Sequence, residues 1–181
     1  MRQNGQMQSV ASTEVIFIGG RSGVGKSSVA AEASHLLAGA GVPHAVIEGD
    51  NLDQAYPEPW RDGIDLAERN LAAMWKNYRA IGHTRLIFTN TVSVLQVAEL
   101  RAALGTAVRP FAVLLTATDT TAARRLAGRE IGSALKEHID RSERAARQLD
   151  AADGTVSRVA TDGRSITDIA NEVLARAGWL E

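Results

Sequence analysis

The stretch Glu14-Val15-Ile16-Phe17-Ile18-Gly19-Gly20-Arg21-Ser22-Gly23-Val24-Gly25-Lys26-Ser27-Ser28 decides the fold. Residues Glu14 to Ile18 make a short, largely apolar and β-branched run that reads as a buried strand ending in Gly19-Gly20. From Lys26 to Ala40 the chain is alanine-rich, with Val29, Ala33, Leu36 and Leu37 at helical spacing and Gly39 and Gly41 as terminators. Between strand and helix, Gly20, Gly25, Lys26 and Ser27 meet the pattern G-x-x-x-x-G-K-[ST], with Gly23 inside the loop and Ser28 after it. Glycines let backbone N–H groups turn inward, the helix N-terminus adds partial positive charge, and a phosphate fills the nest so formed. A chance glycine turn is the competing explanation, but the order strand, loop, helix is the one the phosphate nest requires. Gly20, Arg21, Ser22, Gly23, Val24, Gly25, Lys26, Ser27 and Ser28 are therefore the expected nucleotide-binding residues. Lys26 is expected to neutralise β- and γ-phosphate oxygens and the Ser27 hydroxyl to hold Mg2+.

Outward from this unit the same alternation continues. His44 to Glu48, Arg85 to Thr89, Val108 to Thr116 and Val156 to Ala160 read as further strands. Asp65 to Ile81 and Val94 to Leu104 read as helices, as does a segment capped by Asp119 and running through Leu126. Gly128 and Gly132 bracket a break, Leu135, Ile139, Ala146 and Leu149 mark one face of the next helix, and Ser165 can cap a last one reaching about Ala177. Strands alternating with helices, without hairpin signals, predict an α/β fold of three layers around a mostly parallel five-stranded sheet. Residues 1–12 are polar and expected to be a flexible tail; residues 13–181 are expected to form one domain.

Composition narrows the partners. Twenty Lys and Arg against 21 Asp and Glu leave a net charge of −1, so no basic excess draws the chain to nucleic acid or to an anionic membrane. The absence of cysteine excludes disulfides, thiolate metal sites and thiol nucleophiles. No apolar run reaches the roughly 18 residues of a membrane span, and Met1 to Ser12 lacks the apolar stretch of a signal peptide. The expectation is a cytoplasmic protein with a small-molecule partner, without nucleic acid or membrane, its oligomeric state open between monomer and homodimer.

A guanine-reading Asn-Lys-x-Asp segment is missing, and the third strand ends Leu86-Ile87-Phe88-Thr89-Asn90 rather than in the acidic pair of mechanical ATPases. What remains is a P-loop small-molecule kinase, which positions a donor and an acceptor and neutralises charge. The loop Gly20 to Ser28 followed by Glu48-Gly49-Asp50-Asn51 resembles the adenylylsulfate kinase group, which carries Gly-x-Ser-Gly-x-Gly-Lys-Ser and Asp-Gly-Asp-Asn. Glu68-Arg69-Asn70 is similar to that group's Arg-x-Glu-Asn helix, and chloramphenicol phosphotransferases and gluconate kinases share the layout. The resemblance implies a kinase-type fold with a short lid, ATP and Mg2+ as cofactors, and transfer of the γ-phosphoryl group to a hydroxyl of a metabolite or antibiotic. It implies that Asp50 orders Mg2+ and orients or deprotonates the acceptor hydroxyl, with Asn51 and Arg69 on the substrate side. The chain departs from the group at Glu48, which replaces the first aspartate, and at Leu52-Asp53, where an arginine is usual. It also lacks the group's Lys-Gly-Leu-Tyr and Phe-Thr-Gly-Ile segments, so the transfer machinery carries over and the sulfate-nucleotide substrate does not.

Arg129 lies at the glycine-bracketed break, where a guanidinium can meet a transferring phosphate, and is the candidate catalytic arginine beside Lys26 and Asp50. Arg125 is the second candidate, for donor phosphate. Arg144 and Arg147 read as a solvated helix face. Tyr56, Pro57, Pro59 and Trp60 either wall a substrate pocket or pack as a surface loop, and Thr161-Asp162-Gly163-Arg164 falls where related kinases wall the donor base. Two other readings stay open: a nucleoside or nucleotide kinase, and a nucleotide-binding sensor without an acceptor.

Overall fold

The computed structural model describes residues 12–128, 135–152 and 154–180. Arg129 and all but the last residue of the expected tail lie outside the described residues. Among the described residues the elements are, in order, β1 (Thr13–Gly19), α1 (Lys26–Gly39), β2 (Ala45–Glu48), α2 (Leu66–Ala80), β3 (Arg85–Thr89), α3 (Val97–Leu104), β4 (Val108–Thr116), α4 (Asp119–Ala127), α5 (Leu135–Asp150), β5 (Ser157–Ala160) and α6 (Ile166–Arg176). Short 3-10 turns at Gly49–Asn51, Pro59–Asp62 and Ser93–Leu95 fill the connections around β2 and β3.

The sheet runs β2-β3-β1-β4-β5, with every pairing parallel. A central strand covered on both faces must be apolar throughout, and period-two alternation sorts its residues between two cores. Ile16 and Ile18 of β1 join Val29, Ala33 and Leu37 of α1 and Ile169, Val173 and Leu174 of α6 on one face. Val15 and Phe17 join Leu71 and Trp75 of α2 and Leu100 and Leu104 of α3 on the other. Phe17 and Phe88, both fully buried, meet edge to face with centroids 5.8 Å apart. Each such aromatic removed from water stabilises the fold by roughly 1.5–3 kcal/mol. Trp75 is anchored as well, its indole N–H donating to the Thr13 hydroxyl at 3.2 Å.

Two local expectations are corrected. The helix expected from Val94 starts only at Val97, because Asn90 accepts the Val92 N–H in a side-chain turn and Val94 is drawn into the core against Gly19. The N-cap of α4 is Thr118, whose extended backbone places its hydroxyl on the Thr121 N–H, and Asp119 is left to pair with Arg21. No helix among the described residues is long and apolar enough to cross a membrane.

Candidate functional site

In a parallel sheet the strand carboxyl ends face one edge, and β1 is where the chain's connections part to the two sides. The loop Gly20–Gly25 leaves β1 at that edge and enters α1 at Lys26. Its glycines are needed for two reasons. Gly20, Gly23 and Gly25 have φ of 144°, 87° and 100°, which side-chain-bearing residues avoid. A Cβ on Gly23 would also lie 2.5 Å from the Ala122 carbonyl oxygen, so α4 packs flush against the loop.

Lys26 is buried, and its Nζ donates to the Gly20 carbonyl at 2.9 Å and to the Thr91 hydroxyl at 3.4 Å. Ser27 donates its hydroxyl to Glu48 Oε2 at 2.7 Å, while the buried Thr89 hydroxyl donates to Oε1 of the same carboxylate. That pairing follows from register, since Glu48 and Thr89 are direct neighbours across β2 and β3. Glu48, visible in the sequence only as a departure from the usual aspartate, is thus the acceptor that orients the Ser27 hydroxyl. Its position at the last residue of a strand, before Gly49, was the available signal.

Gly49 turns the chain into the 3-10 segment that carries Asp50 and Asn51, and its missing Cβ lets the backbone pass Phe88 Cζ and the Thr89 carbonyl. The Asp50 side chain reaches solvent, yet enough protein surrounds it that desolvation raises its pKa above the ordinary carboxylate value. The charges of Glu48 and Asp53 add to the rise, and Lys26 and the Thr91 backbone N–H oppose it. Asp50 therefore shares one electrostatic neighbourhood with Lys26 and Glu48. Asn51 is exposed in the same turn, and Arg69 is exposed on α2. Asn70, next to Arg69, holds the turn in place by donating to the Leu52 carbonyl at 2.6 Å.

The other loop residues divide by role. Val24 is buried in the α1–α6 core, and Ser28 faces the cavity described next. Arg21 is buried and turned to Asp119 and Ser142, the latter at 2.9 Å from Nε. Arg125 donates from Nη1 to the Val24 carbonyl at 3.2 Å and the Thr161 hydroxyl at 3.0 Å, and from Nη2 to the Thr161 carbonyl at 3.0 Å, and it also lines the cavity described next.

Beside the loop lies a cavity of about 350 Å³ lined by Gly23, Gly25, Arg124, Arg164, Ile166 and Ile169 among others. Its far wall includes the turn after β5, where the Asp162 carboxylate accepts the Thr118 hydroxyl at 2.8 Å and the Thr118 N–H at 3.1 Å. Hydroxyl hydrogen bonds from Thr121 and Thr118 lower the Asp162 pKa. Arg124 and Ser142 were not singled out by sequence. Arg124 sat within a crowd of arginines, and Ser142 is separated from the loop by more than a hundred residues.

The donor set at the edge is oxygen only: the Ser27 hydroxyl and the Glu48 and Asp50 carboxylates. Among the described residues no group of three or more His, Cys, Asp or Glu forms a metal cage by itself. Few hard oxygens open to a phosphate are what Mg2+ accepts, since it keeps waters and shares its shell with substrate phosphates. The residues fit that ion.

No protein-family model and no curated protein sequence matches the chain. Solved structures do. A gluconokinase from Sinorhizobium meliloti 1021 is similar at 20% identity and TM-score 0.60, over 93% of this chain and 92% of that one. The tunicamycin resistance protein of Deinococcus radiodurans is similar at 20% identity and TM-score 0.63, over 93% and 97%. The APS kinase of Mycobacterium tuberculosis, solved with AMPPNP and APS, is similar at 23% identity and TM-score 0.56, over 91% and 96%. The likeness is one of fold, and that fold is the α/β architecture of the P-loop small-molecule kinases.

Proposed function

We propose that this chain is an ATP-dependent phosphotransferase that moves the γ-phosphoryl group to a hydroxyl of a small molecule. The observation that carries the reading is Asp50, an acidic group of raised pKa beside Lys26 and the Ser27–Glu48 pair at the carboxyl edge of the sheet. The fold's likeness to a gluconokinase and an APS kinase supports a kinase over a bare nucleotide sensor.

In this mechanism the loop amides cradle the donor's β-phosphate, and the cavity walled by Arg124 and Arg164 takes its base. When bound, Mg2+ would be held through Ser27 with Glu48 and Asp50 beside it, and would supply charge neutralisation for the phosphates. The acceptor oxygen forms a bond to the γ-phosphorus, its proton passes to Asp50, and the bond from the γ-phosphorus to the bridging oxygen breaks. The negative charge that ADP gains is met by Lys26, whose short tether to Gly20 leaves its ammonium at the mouth of the loop. The catalytic role for Arg129, and the substrate-side roles for Asn51 and Arg69, belong to the same proposal.

The test is ADP release from ATP and Mg2+, with and without a pool of small hydroxylated metabolites and antibiotics, for wild type and Lys26→Ala. Release that rises with a pool component, and falls by roughly a hundredfold or more in the variant, supports the reading. Tight ATP binding with no acceptor-dependent turnover across a broad pool would favour the sensor instead.

A further inference from the structure

We propose that Ser142, on α5, is a positioning residue that helps to set the phosphate nest by holding the Ser22 carbonyl outward, as Arg125 holds that of Val24. Three hydrogen bonds carry this. The Ser142 hydroxyl donates to the Ser22 carbonyl at 2.9 Å and accepts from Arg21 Nε at 2.9 Å, so one buried side chain clamps two successive loop residues. From α4, Arg125 donates to the Val24 carbonyl at 3.2 Å. In a trans peptide the carbonyl of one residue and the N–H of the next point to opposite sides. Fixing the Ser22 and Val24 carbonyls outward therefore turns the Gly23 and Gly25 N–H groups inward, where a phosphate lies. Glycine at both positions gives the clamp something to restrain. With φ of 87° and 100° and no side chain to restrict them, these positions have more backbone freedom than other residues, and contacts from α4 and α5 limit it.

Ser142 is not offered as a group that touches phosphate. It acts through the Ser22–Gly23 peptide; the residues it touches, Arg21 and Ser22, do not line the cavity walled by Arg164, Ile166 and Ile169, and Gly23 sits where nest and cavity meet, so its effect falls first on the phosphate half of the nucleotide. The inference rests on reading Gly20–Ser27 as a phosphate loop, but not on phosphoryl transfer.

Two probes separate these levels: inorganic tripolyphosphate, which needs only the nest, and adenosine, which needs only the cavity. Each is titrated calorimetrically into wild type, Ser142→Cys and Ser142→Ala, with thermal melts run alongside. The cysteine variant is nearly isosteric and keeps a weak donor, so it reports even if the alanine variant fails to fold. Expected is a graded loss of tripolyphosphate affinity, reaching roughly three- to tenfold in Ser142→Ala, the scale of one hydrogen bond. Adenosine affinity stays at the wild-type value. Equal loss for both probes would make Ser142 a general packing residue and overturn the proposal, as would unchanged tripolyphosphate affinity in the variants. A wild type that binds adenosine but no tripolyphosphate would overturn the phosphate-loop reading itself, and the clamp with it. If wild type binds tripolyphosphate and the graded loss appears while no acceptor is ever phosphorylated, the clamp stands and the kinase reading falls.

Discussion

Asp50 shows how a single residue can carry opposite demands. Its raised pKa means that the folded chain holds this proton more tightly than the unfolded chain does. Stability therefore falls as pH rises from the ordinary carboxylate value through the raised one, and the loss persists at neutral pH. Asp50→Asn removes that loss: thermal melts should show the variant more stable than wild type at neutral pH, with the gap closing below the ordinary carboxylate value. Turnover moves the other way, since a base must be ionised, and acceptor-dependent kcat/KM should rise with pH through the Asp50 pKa in wild type and drop about 10²–10⁴-fold in the variant. Glu48 tests the same electrostatics from next door. Its charge helps to raise the Asp50 pKa, so Glu48→Gln should move the acid limb of the pH–rate profile to lower pH. The variant also weakens the acceptor that orients Ser27, and should need more Mg2+ for half-maximal rate. A profile that stays in place would show that the Glu48 charge does not tune Asp50.

At the scale of elements, the strands were legible because a parallel sheet covered on both faces demands apolar runs, and those of β3 and β4 fall where their residues predict. The glycine loop that leads into α1 was legible because its conformational demands are local. What could not be read were contacts that close over long separations: Ser142 on the loop, Arg125 on the Val24 and Thr161 carbonyls, Asn70 on Leu52. Short-range competition explains the misses within elements, as at Asn90, whose side chain offers Val92 a turn that delays α3, and at Thr118, which outcompetes its neighbour as cap. The Asp50 turn gives two predictions that depend on such contacts. Gly49→Ala places a Cβ 2.5 Å from Phe88 Cζ and 2.7 Å from the Thr89 carbonyl, and one of those neighbours is backbone. Overpacking of this kind costs about 1–3 kcal/mol, readable by denaturant melts, and should displace Asp50 and lower turnover as well. Asn70→Ala is milder. Losing the bond to Leu52 costs about 1 kcal/mol and should raise the acceptor KM while leaving the KM for ATP near wild type.

Across the whole molecule the charge is close to balanced, but its distribution is not. The stretch from Asp50 to Arg69, which joins the candidate base to α2, carries Asp50, Asp53, Glu58, Asp62, Asp65 and Glu68 against Arg61 and Arg69. Arg61 is already engaged, with its Nε 3.4 Å from Glu58 and its guanidinium over the Trp60 ring. On the proposed reading, an acceptor approaching Asp50 along this stretch would meet an excess of acidic side chains and two exposed aromatics, Tyr56 and Trp60. Such an excess repels carboxylate, phosphate and sulfate, and the repulsion is strongest where water is thinnest. Among hydroxylated acceptors of similar size, amino-bearing or uncharged compounds should therefore show lower KM than carboxylates. Salt gives the matching check: with a Debye length of about 8 Å at physiological ionic strength, added salt should raise the KM of a cationic acceptor and lower that of an anionic one. If the exposed Trp60 ring meets the body of the acceptor rather than its reacting oxygen, Trp60→Ala should raise the acceptor KM without moving kcat. A carboxylate acceptor that outperforms its amine analogue at low salt would refute this expectation and leave the phosphate loop, Asp50 and the transfer chemistry untouched.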